Sequence, residues 1–216
     1  MNELIEIILH TDDVLLTIVG ENILNAYLLL FFIILLETGL IVFPFLPGDG
    51  LLFSAGVVAA STDLNVWILL VLLIIAAILG NIINYSVGTL LGNNIKQSDN
   101  YFIKKYIIKH IQRTQEFYDK HGGNAIILGR FFPIIRTYIP FFAGFVKMKR
   151  VLFIKNTIIG AIIWVSLFLL VGFFVGEIEW VKNNYGLIFI CLILVTLTPF
   201  LFLMIKKLLL KFKVVY

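Results

Sequence analysis

The sequence predicts an all-α integral membrane protein: two re-entrant helical hairpins in an inverted repeat, about three full transmembrane helices, and amphipathic interfacial helices. Three observations predict it. Hydrophobic residues make up 61% of the 216 positions and charged ones 14%, against about 45–50% and about 25% in soluble domains. With a mean hydropathy of +1.03, a soluble globule of this size has no interior large enough to hide that surface. Residues 66–95 carry no charge at all, and about 20 apolar residues suffice to span a bilayer. Finally, two further apolar stretches are each broken by proline and by charge, which a simple membrane helix does not tolerate. The whole chain, 1–216, reads as one membrane domain.

Residues 1–25 hold Glu3, Glu6, Asp12, Asp13 and Glu21 with no Lys or Arg. The basic start of a secretory signal is missing, so this segment is expected to remain as an acidic interfacial element outside the membrane. Residues 26–60 run for 35 residues with Pro44, Pro47, Gly48 and Gly50 near the middle. That is too long for one span and short for two plus a turn, so the first hairpin is placed here. Residues 66–95 form the strongest transmembrane helix. Residues 101–121 set Ile103, Tyr106, Ile107, Ile111, Phe117 and Tyr118 near one helical face beside lysines, the pattern of an amphipathic helix against anionic headgroups.

Residues 124–146 contain Arg130, Pro133, Arg136 and Pro140 and form the second hairpin. Loosened backbone of this kind is tolerated at membrane depth only where protein or water covers it. Residues 156–176 and 185–205 supply two more transmembrane helices, the latter kinked at Pro199, and residues 206–216 form a basic tail. Trp67, Trp164, Trp180, Tyr185 and Tyr216 are read as an interfacial aromatic belt.

The charge map orients these elements. Basic residues gather at 96–120, at 147–155 and in the tail, so these regions are expected on the cytoplasmic side, with the acidic N-terminus and the Glu177/Glu179 turn outside. A single crossing by 124–146 would put two lysine-rich segments on opposite faces; a hairpin that returns to its own side removes the conflict. The first hairpin then enters from outside and the second from the cytoplasm. A weak internal repeat agrees: Phe43-Pro44 matches Phe132-Pro133 at an offset of 89, and Phe53-Ser54-Ala55-Gly56 matches Phe141-Phe142-Ala143-Gly144 at 88. This is the inverted-repeat arrangement of many secondary transporters, whose sites lie near the midplane where broken helices meet.

Composition also excludes chemistry. One cysteine, Cys191, rules out an intramolecular disulfide framework and a Cys-rich metal site. His10, His110 and His121 have no ligand partners at suitable spacing, so no metal and no cofactor is expected. The net charge of +4 sits in membrane-flanking clusters and not on a nucleic-acid-binding face. No phosphate-binding glycine loop, nucleophile elbow or paired-histidine motif is present, and the chain is not read as an enzyme.

The candidate site is the set of charges inside the hairpins: Glu37 and Asp49 in the first, Arg130 and Arg136 in the second. A charge at mid-membrane costs about 2.5–3.5 kcal/mol on insertion scales, so all four must face one another or water. The rival reading is that two buried ion pairs only fix how the hairpins dock. Function is favoured because both basic positions are Arg in a chain with only two others, Arg113 and Arg150, and the guanidinium fork suits bidentate phosphate or carboxylate binding. The turn at Pro44, Pro47 and Gly48 frees backbone groups to line a cavity, as do Pro133 and Pro140. Asn81 and Asn84 are expected to hydrogen-bond between helices, and Gly80, Gly88 and Gly92 to permit close helix packing.

The segment from Glu37 to Asp49, followed by Gly129-Arg130-Phe-Phe-Pro133 through Arg136 and Pro140 to Gly144, strongly resembles the DedA family of bacterial membrane proteins, which share the VTT (SNARE-associated) domain. The resemblance extends to Gly80-Asn81-Ile-Ile-Asn-Tyr85-Ser-Val-Gly88 and to Gly160-Ala161-x-x-Trp164. It implies a multi-pass protein of the bacterial cytoplasmic membrane with its basic tail inside, moving undecaprenyl or polyprenyl phosphate, or another phospholipid, with proton coupling. Arg130 and Arg136 would bind the lipid phosphate; Glu37 and Asp49 would gate or carry protons. Asn81 stands where the family usually has Asp, so no carboxylate acts there. Partners are then membrane lipids and protons, with no nucleic acid; a second copy of the chain is also admitted. Two rivals are a proton-coupled transporter of a small soluble ion and a structural membrane-homeostasis protein.

Overall fold

The computed structural model describes residues 16, 17, 19, 20, 22–40, 48–97, 123–131 and 133–178. The acidic segment 1–25 is covered only in part. The 101–121 helix, the 185–205 helix with Pro199, the tail, the three histidines and the turn holding Pro44 and Pro47 lie outside the described residues. Among those described, all regular structure is helical: α1 Ile23–Gly39, α2 Gly48–Ser61, α3 Val66–Gln97, α4 Asn124–Gly129, α5 Pro133–Phe145 and α6 Arg150–Gly176.

Helix starts follow local chemistry. Asn22 caps α1, its side chain accepting from the Leu24 N–H at 2.9 Å. Asn65 does the same for α3, accepting from Trp67 at 2.9 Å and Ile68 at 3.2 Å, which satisfies N–H groups that lack a helical partner. The Tyr27 hydroxyl accepts from the Asn65 N–H at 2.8 Å, tying α1 to the start of α3. Helix α5 ends differently. Lys147 adopts a left-handed φ of 57°, and the Lys147 and Met148 N–H groups reach back to the carbonyls of Gly144 and Ala143 at 2.9 Å each, the Schellman closure.

Among the described residues, two helices are long and apolar enough to cross a membrane, Val66–Gly92 within α3 and Arg150–Gly176. At a rise of about 1.5 Å per residue, the 27 residues of each span about 40 Å, more than the roughly 30 Å of hydrocarbon. The second begins six residues before the predicted 156, taking in Arg150 and Lys155, because no capping or breaking residue stops it at Asn156. Both are apolar on every face. Trp67, Val71, Ile75, Leu79, Ile83 and Leu90 form an exposed stripe along α3, while Leu69, Leu73, Ala76 and Ala77 are buried opposite. A helix hydrophobic all round is one that meets lipid on its outer side. The remaining helices have 17, 14, 6 and 13 residues, at most about 25 Å each.

The pairing of short helices with long ones is exchanged between the two halves. Helix α1 packs on α3 and α4 on α6, each within its own half; α2 packs most extensively on α6, and α5 on α3. Glycines make the exchanged contacts close. The carbonyl of Phe53 on α2 lies against Gly172 of α6, and the carbonyl of Phe141 on α5 lies against Gly88 of α3. Gly56 meets the Leu169 carbonyl, and Gly144 the Tyr85 carbonyl. In each case a Cβ would collide with backbone, so the two segments matched in sequence at an offset of 88 make equivalent contacts. Of the predicted turn residues, Gly48 opens α2 and Pro133 opens α5, where the missing N–H is harmless. Pro140 is a correction: it lies inside α5, not in a turn, and removes the N–H that would otherwise take the Arg136 carbonyl.

Candidate functional site

Along α3 the buried positions pass from Leu69, Leu73 and Ala77 in one apolar cluster to Tyr85 in another. Between them stand Asn81 and Asn84, midway along the helix and buried. Trp164 occupies the matching central position of α6. The polar residues of both short-helix segments converge at this level.

Glu37 and Thr38 are buried in the last turn of α1. Asp49 is buried in the first turn of α2, where helix N-termini favour negative charge. Arg136, from α5, bonds both acids at once: one guanidinium nitrogen, Nη2, pairs with Glu37 Oε1 and the other, Nη1, with Asp49 Oδ1. The same Asp49 oxygen accepts the Trp164 Nε1–H at 2.8 Å. Gly48 lies so close to the Glu37 carboxylate that a Cβ there would overlap it. That contact, more than the turn itself, requires glycine at 48.

Arg130 closes α4 as its C-terminal cap. Its Nη2 donates to the Thr157 carbonyl at 3.4 Å, its Nε has no hydrogen-bond partner, and its Cδ and Nε sit against Gly160 of α6. The guanidinium carbons of Arg130 and Arg136 lie 5.8 and 5.1 Å from the centroid of the one Trp164 ring, within cation–π range. Asn84 ties the frame together, its Nδ2 donating to the carbonyls of Thr38 at 3.2 Å and Thr137 at 2.8 Å. Glu37, Thr38, Asn81, Arg130, Arg136, Thr137 and Trp164 enclose a cavity of about 10 Å³, room for one water molecule.

All four charged residues expected from the sequence thus meet in one buried cluster. The expected helix-to-helix hydrogen bonding holds for Asn84, whereas Asn81 lines the cavity. Gly80 faces the Thr38 hydroxyl and the Leu35 carbonyl, the predicted close approach. Trp164 is the main correction: at 1% exposure it belongs to the site and not to an interfacial belt. Its position near the middle of the apolar run 156–176 was the available signal, since a belt residue sits at an end. Thr137 and Thr157 gave no signal, because a lone threonine in an apolar segment usually bonds its own helix.

The model of the VTT domain family matches residues 46–174. The chain is 44% identical over 198 residues to Protein DedA of Escherichia coli strain K12, covering 91% of this chain and 90% of that protein. It is 34% identical over 168 residues, 77% of this chain and 74% of the relative, to an uncharacterised membrane protein of Mycobacterium leprae. Inner membrane protein YqjA of Escherichia coli strain K12 is 32% identical over 151 residues, 70% of this chain and 68% of that protein. No solved structure matches. With a domain model covering more than half its length and a relative aligned almost end to end, the chain belongs to the DedA family of membrane proteins.

Proposed function

We propose that the protein is a proton-coupled translocase of lipid phosphates, undecaprenyl or another polyprenyl phosphate or a related phospholipid, across the bacterial cytoplasmic membrane. One observation carries the reading: two carboxylates, two guanidinium groups and an indole are buried together midway along both membrane-length helices, where two interrupted helical segments meet. Each charge there is costly in hydrocarbon, and such groups mark transport pathways or proton relays. On this reading the two segments are re-entrant hairpins entering from opposite faces, and the exchanged glycine contacts are the trace of the inverted repeat.

The charges supply the coupling. Glu37 and Asp49 balance Arg130 and Arg136, so the cluster is neutral as it stands. An entering phosphate leaves it negative unless a carboxylate takes up a proton, and a low-dielectric site makes that imbalance expensive. A proton on Glu37 or Asp49 also loosens its hold on Arg136, releasing α5 from α1 and α2 so that the cavity can open. The cavity of about 10 Å³ is too small for a phosphate group, so this arrangement is the closed one. Opening admits the headgroup while the isoprenoid or acyl tail stays against the apolar outer faces of α3 and α6.

The test is reconstitution into liposomes carrying a fluorescent polyprenyl phosphate. Movement between leaflets should accelerate with protein and with an imposed proton gradient. An unchanged rate, or unchanged rate with a folded Arg136→Ala variant, refutes the assignment; uptake of a soluble anion that is indifferent to lipid composition favours small-ion transport instead.

A further inference from the structure

The two arginines are not equivalent. Arg136 is held by both carboxylates. Arg130 is 6% exposed; it makes no ion pair among the described residues, one long bond to the Thr157 carbonyl, and none from Nε. A buried guanidinium with an unsatisfied N–H calls for a specific explanation. The group lines the cavity it shares with Asn81, Thr38 and Thr137, and Trp164 stands against its cationic face.

Resting on the translocase reading, the geometry points to a division of labour: Arg130, walled by Trp164 and Gly160 and faced by Asn81, is the seat for an oxyanion of the phosphate-monoester class. Arg136 is the lock that ties α5 to α1 and α2. The existing void takes an oxygen-sized group. The other phosphate oxygens require the α4–α6 wall, which carries Arg130 and Trp164, to part from the α1–α3 wall, which carries Glu37, Thr38 and Asn81. Asn81 suits this seat better than an aspartate would, because its amide donates to an anion where a carboxylate repels it.

Trp164 gives a direct readout. A Trp67→Phe/Trp180→Phe protein in detergent micelles keeps Trp164 as its single tryptophan, and its fluorescence is followed while farnesyl phosphate, inorganic phosphate or farnesol is added, with calorimetry in parallel. Saturable binding of farnesyl phosphate and none of farnesol is expected. Arg130→Gln should weaken binding at least tenfold and Arg130→Lys severalfold. The triple variant Glu37→Gln/Asp49→Asn/Arg136→Gln, which removes the lock and leaves Arg130 as the only charge of the four, should bind within threefold of the parent or tighter.

Unchanged affinity in Arg130→Gln, or lost affinity in a monodisperse triple variant, overturns the assignment of the seat. Should Arg130→Gln fail to fold, Arg130→Lys decides: parental affinity overturns the seat. Inorganic phosphate binding as tightly as farnesyl phosphate keeps the seat but removes the lipid from the reading. No response to either phosphate in the parent, by fluorescence and by calorimetry, removes the translocase reading itself.

Discussion

Arg136 is the residue on which most of the polar cluster depends, since it satisfies two carboxylates contributed by two different helices. Removing one member of a buried ion pair leaves an uncompensated charge and costs about 3–5 kcal/mol. Arg136→Ala should therefore lower the thermal midpoint in detergent sharply, while the additional change Glu37→Gln/Asp49→Asn should restore much of it; calorimetric or fluorescence melting checks both. Trp164 acts through one hydrogen bond to a carboxylate and one ring face. Trp164→Phe keeps the face and loses the bond, worth about 1.5–3 kcal/mol for a charged partner, and Trp164→Leu loses both. Transport rates should fall in that order, and equal rates in the two variants would detach the ring face from function.

The elements are set by caps and by glycine contacts more than by amphipathic patterning, because lipid-facing helices have no polar side to mark. Asn65 caps α3 with two backbone bonds; Asn65→Ala should cost about 1 kcal/mol, read as a drop in melting temperature with transport unchanged. Lys147 closes α5 in a left-handed conformation that costs a non-glycine residue about 1–2 kcal/mol. Lys147→Gly should relieve part of that and raise the melting temperature, unless the lost membrane-flanking charge disturbs insertion. Gly172 and Gly88 admit the carbonyls of Phe53 and Phe141, and a leucine at either position should drive α2 from α6 or α5 from α3. The resulting loss of monodispersity is measurable by size-exclusion chromatography.

For the whole molecule, the sequence was most legible where a single physical constraint dominates. An uncharged run of 30 residues reads as a membrane helix, and charges inside apolar segments read as a cluster, because hydrocarbon forbids the alternatives; Glu37, Asp49, Arg130 and Arg136 do meet. The repeat was visible at Phe53 and Phe141, since close packing against a glycine limits both the residue and its spacing. What escaped were features with two competing explanations. Trp164 reads equally as an interfacial anchor or a site wall, and only its central place in the helix separates them. Pro140 reads as a turn residue, yet a proline within a short helix is tolerated when neighbours cover the freed carbonyl.

The exchange of short helices between halves bears on how the chain is made. When only the first 97 residues have left the ribosome, Phe53 and Gly56 have no Leu169 or Gly172 to receive them. Helix α2 therefore waits for its partner through the synthesis of about 75 further residues. During that interval the nascent protein must be sheltered, by an insertase or by surrounding lipid, and a stop codon placed just before α6 should yield a product that membrane proteases clear within minutes.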